Sequence, residues 1–465
     1  MYMSTATPIK GSLKQAFRPT RGQARFGFTI LLIINILNYA DRYVLPAILP
    51  KIADPKQGLG LSPFQQGLLG SSFLLVYALA TLPLGVWADR GVRKNIVALC
   101  VGLWSVATTL AGFTRSFLQL FSVRAVLGIG EAGYAPASLS LLGDFFPKAQ
   151  RGRILSYWSS GTLLGAAIGF TLGGLIADAF GWRFAFFLVG IPGLVAAFLA
   201  WRIAEPKRGA FDNDAADEAD ASSEERATEA GTGEASAASA ELNHGTLEKD
   251  FWKSVRALRS IPTYWVLVAA LVFSFFTIGG TSFWLPSYFV DAFHLSLGKA
   301  GVISGAVLVT SGLVGTVVGG WLADYAQRRR PEGRLFVAAL GFLIGAPLVL
   351  IALLISNLAA FLAVFIVAAI ALNFCTGPLN AVIQDVISPE VRATALGLSL
   401  LLAHLLGDAA APTVIGAFAN GISLGNALIV TAPTCLFIAG LVCLLGLRTV
   451  KRDMDQMQRR LHKAK

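Results

Sequence analysis

Charge is scarce in this chain: Asp, Glu, Lys and Arg make up 14% of its 465 residues, against about a quarter in an ordinary soluble domain. A soluble enzyme is nearly excluded. Cysteine and histidine are rarer still, at four each. Cys100, Cys375, Cys435 and Cys443 fall inside apolar runs, with no CxxC or Cys/His spacing, which argues against a zinc centre or a disulfide framework and for packing roles. No GxSxG, HExxH or Walker lysine motif occurs, which weakens a hydrolase or an ATP-driven pump. No metal or organic cofactor is expected, and no nucleic acid, because the basic residues sit between apolar runs and build no folded basic patch. Residues 1–25 carry Lys10, Lys14, Arg18, Arg21 and Arg25 without an apolar core or a cleavage site, so a basic N-terminal segment that stays in the cytoplasm is expected.

What is abundant is apolar length. Hydrophobic residues make up 55% of the chain, and a membrane-spanning helix needs about 20 of them in a row. Hydropathy places six runs between 26 and 204 and six between 261 and 448. Between the sets, residues 205–250 are rich in Ala, Ser, Glu and Asp and hold 13 of the 27 acids, the composition of an acidic flexible linker. Residues 251–260 alternate apolar and basic positions at helical spacing, as an interfacial helix or an extension of the seventh span would. A basic tail follows from 449 to 465.

The two sets repeat one another. Gly85-x-x-Ala88-Asp89 after the second span recurs as Gly320-x-x-Ala323-Asp324 after the eighth, and Asp144 with Arg151 recurs as Asp385 with Arg392. Paired halves are a recurring plan of secondary transporters. An all-α membrane protein follows, with twelve helices in two pseudo-symmetric six-helix bundles. Alternate loops differ sharply in basic residues: Lys51, Lys56, Arg115, Arg183 and Lys299 are the five on one side, and 27 outside the linker fall on the other. The positive-inside rule then puts both termini in the cytoplasm of a multi-pass plasma (inner) membrane protein.

Few charges remain inside spans: Asp41, Arg42, Arg124, Glu131 and Asp408, joined by His404. A charge at mid-bilayer costs at least about 2.5 to 3.5 kcal/mol on insertion scales, so these residues are expected to pair. Arg124 and Glu131 are seven apart on one face of the fourth span, at a depth matching Asp41 and Arg42 on the first. Arg42 with Glu131 and Arg124 with Asp41 are the expected pairs, either as a static lock or as a switch. In the switch, ionised Asp41 holds Arg42, and protonation frees that cation for substrate or for Glu131. His404 and Asp408 share a face of the eleventh span, as a core pair or as a second polar locus. Gly128-x-Gly130-x-x-Gly133 lies in an apolar helix with no preceding strand, so helix packing is preferred over a dinucleotide site. Gly161, Gly165, Gly169 and Gly173 form a smooth face on the fifth span. Asp89, Arg90, Arg93, Arg151, Arg153 and Asp324 at helix ends suggest a cytoplasmic gate latched by charge, or a mere basic cluster.

The string Gly85-x-x-Ala88-Asp89-Arg90-x-x-Arg93-Lys94, with Arg124-x-x-x-Gly128-x-Gly130-Glu131-Ala132, resembles two signature motifs of the major facilitator superfamily. Asn38-Tyr39-Ala40-Asp41-Arg42, Gly130-Glu131-Ala132 and His404-Leu405-Leu406-Gly407-Asp408-Ala409 resemble the spinster lipid transporters. The resemblance implies a monomeric transporter working by alternating access. It implies proton-coupled movement of an amphipathic anionic lipid of the sphingosine 1-phosphate or lysophospholipid kind. Asp41 would be the proton site, Arg42 and Glu131 its partners, and protons the coupling ion. Gly169-Phe170-Thr171-Leu172-Gly173-Gly174 resembles the superfamily's antiporter motif but has Phe170 in place of its proline, which leaves antiport open. The Asp41-Arg42 pair also resembles symporters of small organic anions such as sugar acids, and a channel is the alternative from another class.

Overall fold

A segment in lipid has no water for its peptide groups, so it must bond them internally, and a helix does this within one segment. The structure, a computed structural model, describes residues 19–211 and 255–464. These residues contain twelve helices long and apolar enough to cross a membrane. In the first half they are α1 (Arg21–Ala53), α2 (Pro63–Arg90), α3 (Arg93–Ala111), α4 (Phe117–Phe145), α5 (Lys148–Phe180) and α6 (Trp182–Trp201). In the second they are α7 (Pro262–Phe293), α8 (Leu297–Gln327), α9 (Gly333–Leu354), α10 (Leu358–Val386), α11 (Thr394–Gly421) and α12 (Leu424–Ala464). The helix of α10 breaks at Phe374 and Cys375, and α11 contains a π-helical stretch, Ala403–Asp408. Several helix starts are written in side-chain oxygens. Thr20 with Gln23, and Ser62 with Gln65, form reciprocal capping boxes, and Pro63 follows the second cap at a position that needs no N–H. Gly181 alone separates α5 from α6, with a φ of 97° that a residue bearing Cβ rarely adopts.

In the first half α1 packs on α5, α4 on α2 and α3, and α3 on α6. In the second, α9 and α12 pack together, with α7 and α10 against them. The glycine face of α5 meets the α1 backbone: a Cβ on Gly165 would lie 2.3 Å from Ile36 O, and one on Gly169 2.3 Å from Ala40 O. The α4 glycines also serve packing. Gly128 backs onto Phe73 O in α2 and Gly130 onto Trp104 N in α3, so they point to α2 and α3 rather than to one shared seam.

The halves touch through α2 with α11, α5 with α8, and α1 with α7. Let the near face be the one where α1 begins and the far face the one where it ends. Contact between the halves gathers at the far ends: Gly67 against Pro412, Gly70 against Phe283 and Gly174 against Leu297. Toward the near face, glycines of the same four seam helices (Gly85, Gly152, Gly320 and Gly397) have nothing within 4 Å of an added Cβ. The near part of α11 packs on α7 while its far part, Ala411–Gly421, packs on α2. The molecule is closed at the far face and parted at the near face.

At the domain edges one expectation needs correcting and two segments gain a structure. Residues 205–211, read as the start of the linker, are fastened to the first half. Glu205 Oε2 accepts from Lys94 N at 2.9 Å, Arg208 Nη2 donates to Ala88 O at 2.8 Å, and Gly209 N donates to Asp144 Oδ1 at 3.0 Å. Composition missed this because isolated polar groups there satisfy the exposed first turn of α3, a role hydropathy does not register. The basic tail continues α12 as helix. Asp453, only 4% exposed, accepts from Thr263 N at 3.1 Å and from its hydroxyl at 2.7 Å, supplying the cap that Ile261 cannot. Of the expected interfacial segment, residues 255–258 are helical with Leu258 buried, and residues 251–254 lie outside the described residues. The rest of the linker, 212–250, lies outside them too.

The α1–α5 seam admits no side chain. Replacing Gly169 by Val is expected to cost at least about 1 to 3 kcal/mol, as overpacking does, whereas Gly85→Ala should leave stability unchanged. Thermal unfolding of the two purified variants checks the contrast.

Candidate functional site

Asp41 and Arg42 are adjacent on α1, so their side chains leave the helix about 100° apart and enter different environments. Asp41 is fully buried between α3 and α4. It accepts a hydrogen bond from Thr108 Oγ1, and its other oxygen lies 4.0 Å from Arg124 Nη1. Arg42 turns toward the seam between the halves. Its Nε donates to Glu131 Oε2 at 2.6 Å, its side chain is 17% exposed, and that of Glu131 is fully buried. Both pairs expected from helical depth are therefore in place. The expected hold of Asp41 on Arg42 is not: Arg42 is already engaged by Glu131, because helix geometry turns neighbouring residues apart.

Aromatic rings enclose the cations. The Arg42 guanidinium lies 4.5 Å from the Tyr77 ring centroid, 5.0 Å from Tyr39 and 5.3 Å from Phe73, and Arg124 lies 4.9 Å from Phe73. Such rings present a negative face to a cation while keeping water off it. Helix-by-helix reading missed Thr108, Tyr77 and Phe73, because residue type alone does not say which ring faces a charge on another helix. Asn38 is fully buried one turn before Arg42. Beside it, Tyr134 donates to Asn35 at 2.8 Å, and Asn35 donates to Trp158 O at 2.7 Å, tying α4, α1 and α5 together.

Arg42 opens onto a cavity of about 330 Å³ between the halves, walled by Tyr39, Tyr43, Phe73, Leu74, Phe275, Ile278 and Phe283, with Arg124 and Asp408 also in its lining. Its surface is apolar apart from these few groups, the pattern of a small-molecule site. A second cavity of about 120 Å³ shares Ile278 and Ser282 with it and runs among Phe170, Leu285, Val307 and Phe365. On the opposite wall His404 Nδ1 and Asp408 Oδ2 lie 2.9 Å apart across the π-helical stretch, with Phe275 edge-on to the imidazole at 5.1 Å. Asp408 lines the cavity; His404 sits behind it at 40% exposure and is not in the lining.

The gate residues divide. Arg93 is not a free gate cation. It is fully buried and donates to Asp144, to Glu205 Oε1 at 2.8 Å, to Ser140 Oγ at 3.0 Å and to Pro206 O at 2.7 Å, all within the first half. The second half repeats the device with a residue the sequence reading did not single out: Arg334 donates to Asp385 Oδ2 at 2.9 Å and to Asp324 Oδ1 at 2.9 Å. The same shift of 241 positions carries Arg93 to Arg334 and Asp144 to Asp385, a signal present in the repeat. Asp89, Arg90 and Arg153 are exposed near the parted ends, and Arg151 Nε donates to Phe146 O at 3.2 Å.

Residues 31–412 match the sequence profile of the Major Facilitator Superfamily. The chain belongs to that superfamily. As a superfamily member it is a twelve-span membrane transporter and not an enzyme. Among curated proteins it is similar to Protein spinster of Drosophila melanogaster, 28% identical over 407 residues, a match spanning 85% of this chain and 62% of the fly protein's length. It is 26% identical to the probable sphingolipid transporter spinster homolog 1 of Arabidopsis thaliana, over 90% of this chain and 87% of that one. A solved structure with the same fold is a bacterial homolog to the human lysosomal transporter Spinster in an inward-facing and occupied conformation. Its TM-score is 0.76 at 23% identity, over 94% of this chain and 99% of that one.

The Arg42–Glu131 pair is testable as a buried ion pair of a superfamily member. Removing one partner strands the other charge, so Glu131→Leu is expected to lower stability by about 3 to 5 kcal/mol, and Arg42→Leu added to it should restore much of the loss. Thermal unfolding of the single and double variants measures the coupling.

Proposed function

We propose that this transporter moves amphipathic anionic lipids, of the sphingosine 1-phosphate or lysophospholipid kind, by proton-coupled alternating access. The observation that carries the reading is one partly exposed guanidinium, Arg42, set in the wall of an otherwise apolar cavity between two halves that part at one face. A phosphate headgroup suits the cation and an alkyl chain suits the aromatic walls and the apolar cavity beyond them. The name of the Arabidopsis relative, a probable sphingolipid transporter, points the same way.

In this reading the near face is cytoplasmic, because 27 of the basic residues outside the linker fall in the terminal segments and loops assigned to that side and five in the loops of the far face. The chain sits in the plasma (inner) membrane as a monomer with both termini inside, and the structure is its inward-open state. Asp41 is the proton site. A proton there cancels one of the two carboxylates near Arg124, leaving a net positive charge among Arg42, Arg124 and Glu131 and strengthening the pull on an anion. Glu131 keeps Arg42 aimed at the cavity. Asp408, on the other wall, sets the far limit of the headgroup site by repelling a phosphate. No cofactor other than the proton takes part.

The test is uptake of a lysolipid or sphingoid phosphate into proteoliposomes, with and without an imposed pH gradient. Gradient-driven, saturable uptake is expected in the wild type, and Asp41→Asn should abolish the gradient dependence. PH-dependent lipid transport unchanged in Asp41→Asn would falsify the proton site. Proton movement with a sugar acid but no lipid would transfer the substrate to small anions, and unsaturable downhill flux would indicate a channel. Asp89, exposed at the near end of α2 in this state, is expected to act when the near face closes. Asp89→Ala should raise labelling of cysteines placed in the near-face cavity several-fold, and unchanged labelling rejects the latch.

A further inference from the structure

The far-face closure is built twice. Where α5 meets α8, a Cβ on Gly174 would lie 2.3 Å from Leu297 O, and one on Gly301 2.1 Å from Phe170 O. Where α11 meets α2, a Cβ on Gly416 would lie 2.3 Å from Pro63 O, and one on Gly67 2.2 Å from Pro412 O. These are the same contacts in the repeat. One shift of 242 positions carries Phe170 to Pro412 and Gly174 to Gly416, and one of 234 carries Pro63 to Leu297 and Gly67 to Gly301.

The same two shifts carry Asp178 to Asn420 and Phe64 to Gly298, and these four positions are hydrogen-bonded across the seam. Gly298 N donates to Asp178 Oδ2 at 2.7 Å, and Phe64 N donates to Asn420 Oδ1 at 3.2 Å. In both cases the donor is the second residue of a helix. The first turn of a helix leaves its N–H groups without internal partners. The helix's own serine takes the third: Ser62 Oγ accepts from Gln65 N, and Ser296 Oγ from Lys299 N. The second is left for the other half of the molecule. Backbone contact through glycine brings the helix ends close enough for a short side chain to reach across.

We propose that Asp178 and Asn420 are paired gate residues, each capping in trans the first turn of a helix in the opposite half, so that the two bonds set how much of the protein is closed at the far face. Both bonds exist only while that face is shut, so both bias the equilibrium toward the inward-open state. The pins are unequal. Asp178 presents a carboxylate to the positive end of α8, a charge-assisted bond supported by the helix dipole, whereas Asn420 presents a neutral amide to α2. Parting the far face exposes all four groups to water, so each pin is worth no more than an ordinary helix cap.

The inference rests on the alternating-access reading but not on the substrate, and its test needs none. Spin labels at Lys56→Cys and Ala292→Cys, exposed far-face positions on opposite halves, report the far-face separation by pulsed electron resonance. The chain is reconstituted in lipid nanodiscs with its four native cysteines replaced. Asp178→Ala is expected to raise the ratio of far-open to far-closed molecules about 2- to 30-fold, the range of a lost cap, and Asn420→Ala by less. Asp178→Asn, which keeps an acceptor oxygen, should return most of the way to wild type. Asn420→Asp should move the population the other way, toward closure, which a merely destabilising change would not do. Unchanged distances in an Asp178→Ala/Asn420→Ala double variant that elutes as a folded monodisperse protein overturn the proposal. So does a shift in Asn420→Asp toward opening. A shift as expected, with no lipid transport by the wild type, would leave the gate standing and remove only the substrate reading.

Discussion

Everything near the centre of this protein is arranged around charge largely withdrawn from water. Four ionisable side chains from α1 and α4 lie within the membrane-spanning core, three of them almost completely buried, and at such a site a partner is obligatory rather than helpful. The two arginines are set against the two carboxylates so that each charge faces its opposite. Because Asp41 and Arg42 are consecutive, the arrangement also fixes the rotation of α1: an error of about 100° would put the carboxylate in the cavity in one sense, or the guanidinium against α3 in the other. That rotation is held from behind by the α5 glycines, which let the α1 backbone approach too closely for any alternative packing.

A second constraint organises the helix ends. Where a helix begins with an apolar residue, as α3 does after Val92 and α7 after Ile261, no local side chain caps it. In each case a carboxylate distant in sequence does: Glu205 for α3 and Asp453 for α7. The first of these closes the N-terminal half on itself through the segment after α6, and the second joins the first and last helices of the C-terminal half. Each half is thereby fastened internally at the near face, while the bonds between halves lie at the far one. Internal fastening of this kind holds each bundle together as a body of its own.

Most of the architecture was legible in the sequence. Twelve apolar runs, a repeat in the loops and an asymmetry of basic residues are properties of composition along the chain, and membrane physics converts them almost directly into helices. The central ion pairs were legible as well, because so few charges lie within spans that depth alone matches Arg42 to Glu131 and Arg124 to Asp41. What could not be read were contacts decided by azimuth. Hydropathy does not say that Asp41 turns to Thr108, that three rings surround Arg42, or that Arg93 is swallowed by Asp144 and Glu205 instead of lying free at a gate. Residues 205–211 were misjudged for a related reason, since composition averages over a window and a single well-placed glutamate does not alter the average.

The glycine contacts at the far face have a mechanical corollary. Helix α8 is 31 residues long, or about 46 Å at a rise of about 1.5 Å per residue. Its contact with α5 runs from the far tip to Gly312, so the free near arm is about 22 Å long and a tilt of about 10° displaces its end by about 4 Å. Backbone lying on backbone has no side-chain ridges to unmesh, so the fulcrum can be tight and smooth at once. While the far face is shut, the two glycine seams thus leave the near arms of their helices free to swing without rearranging side chains.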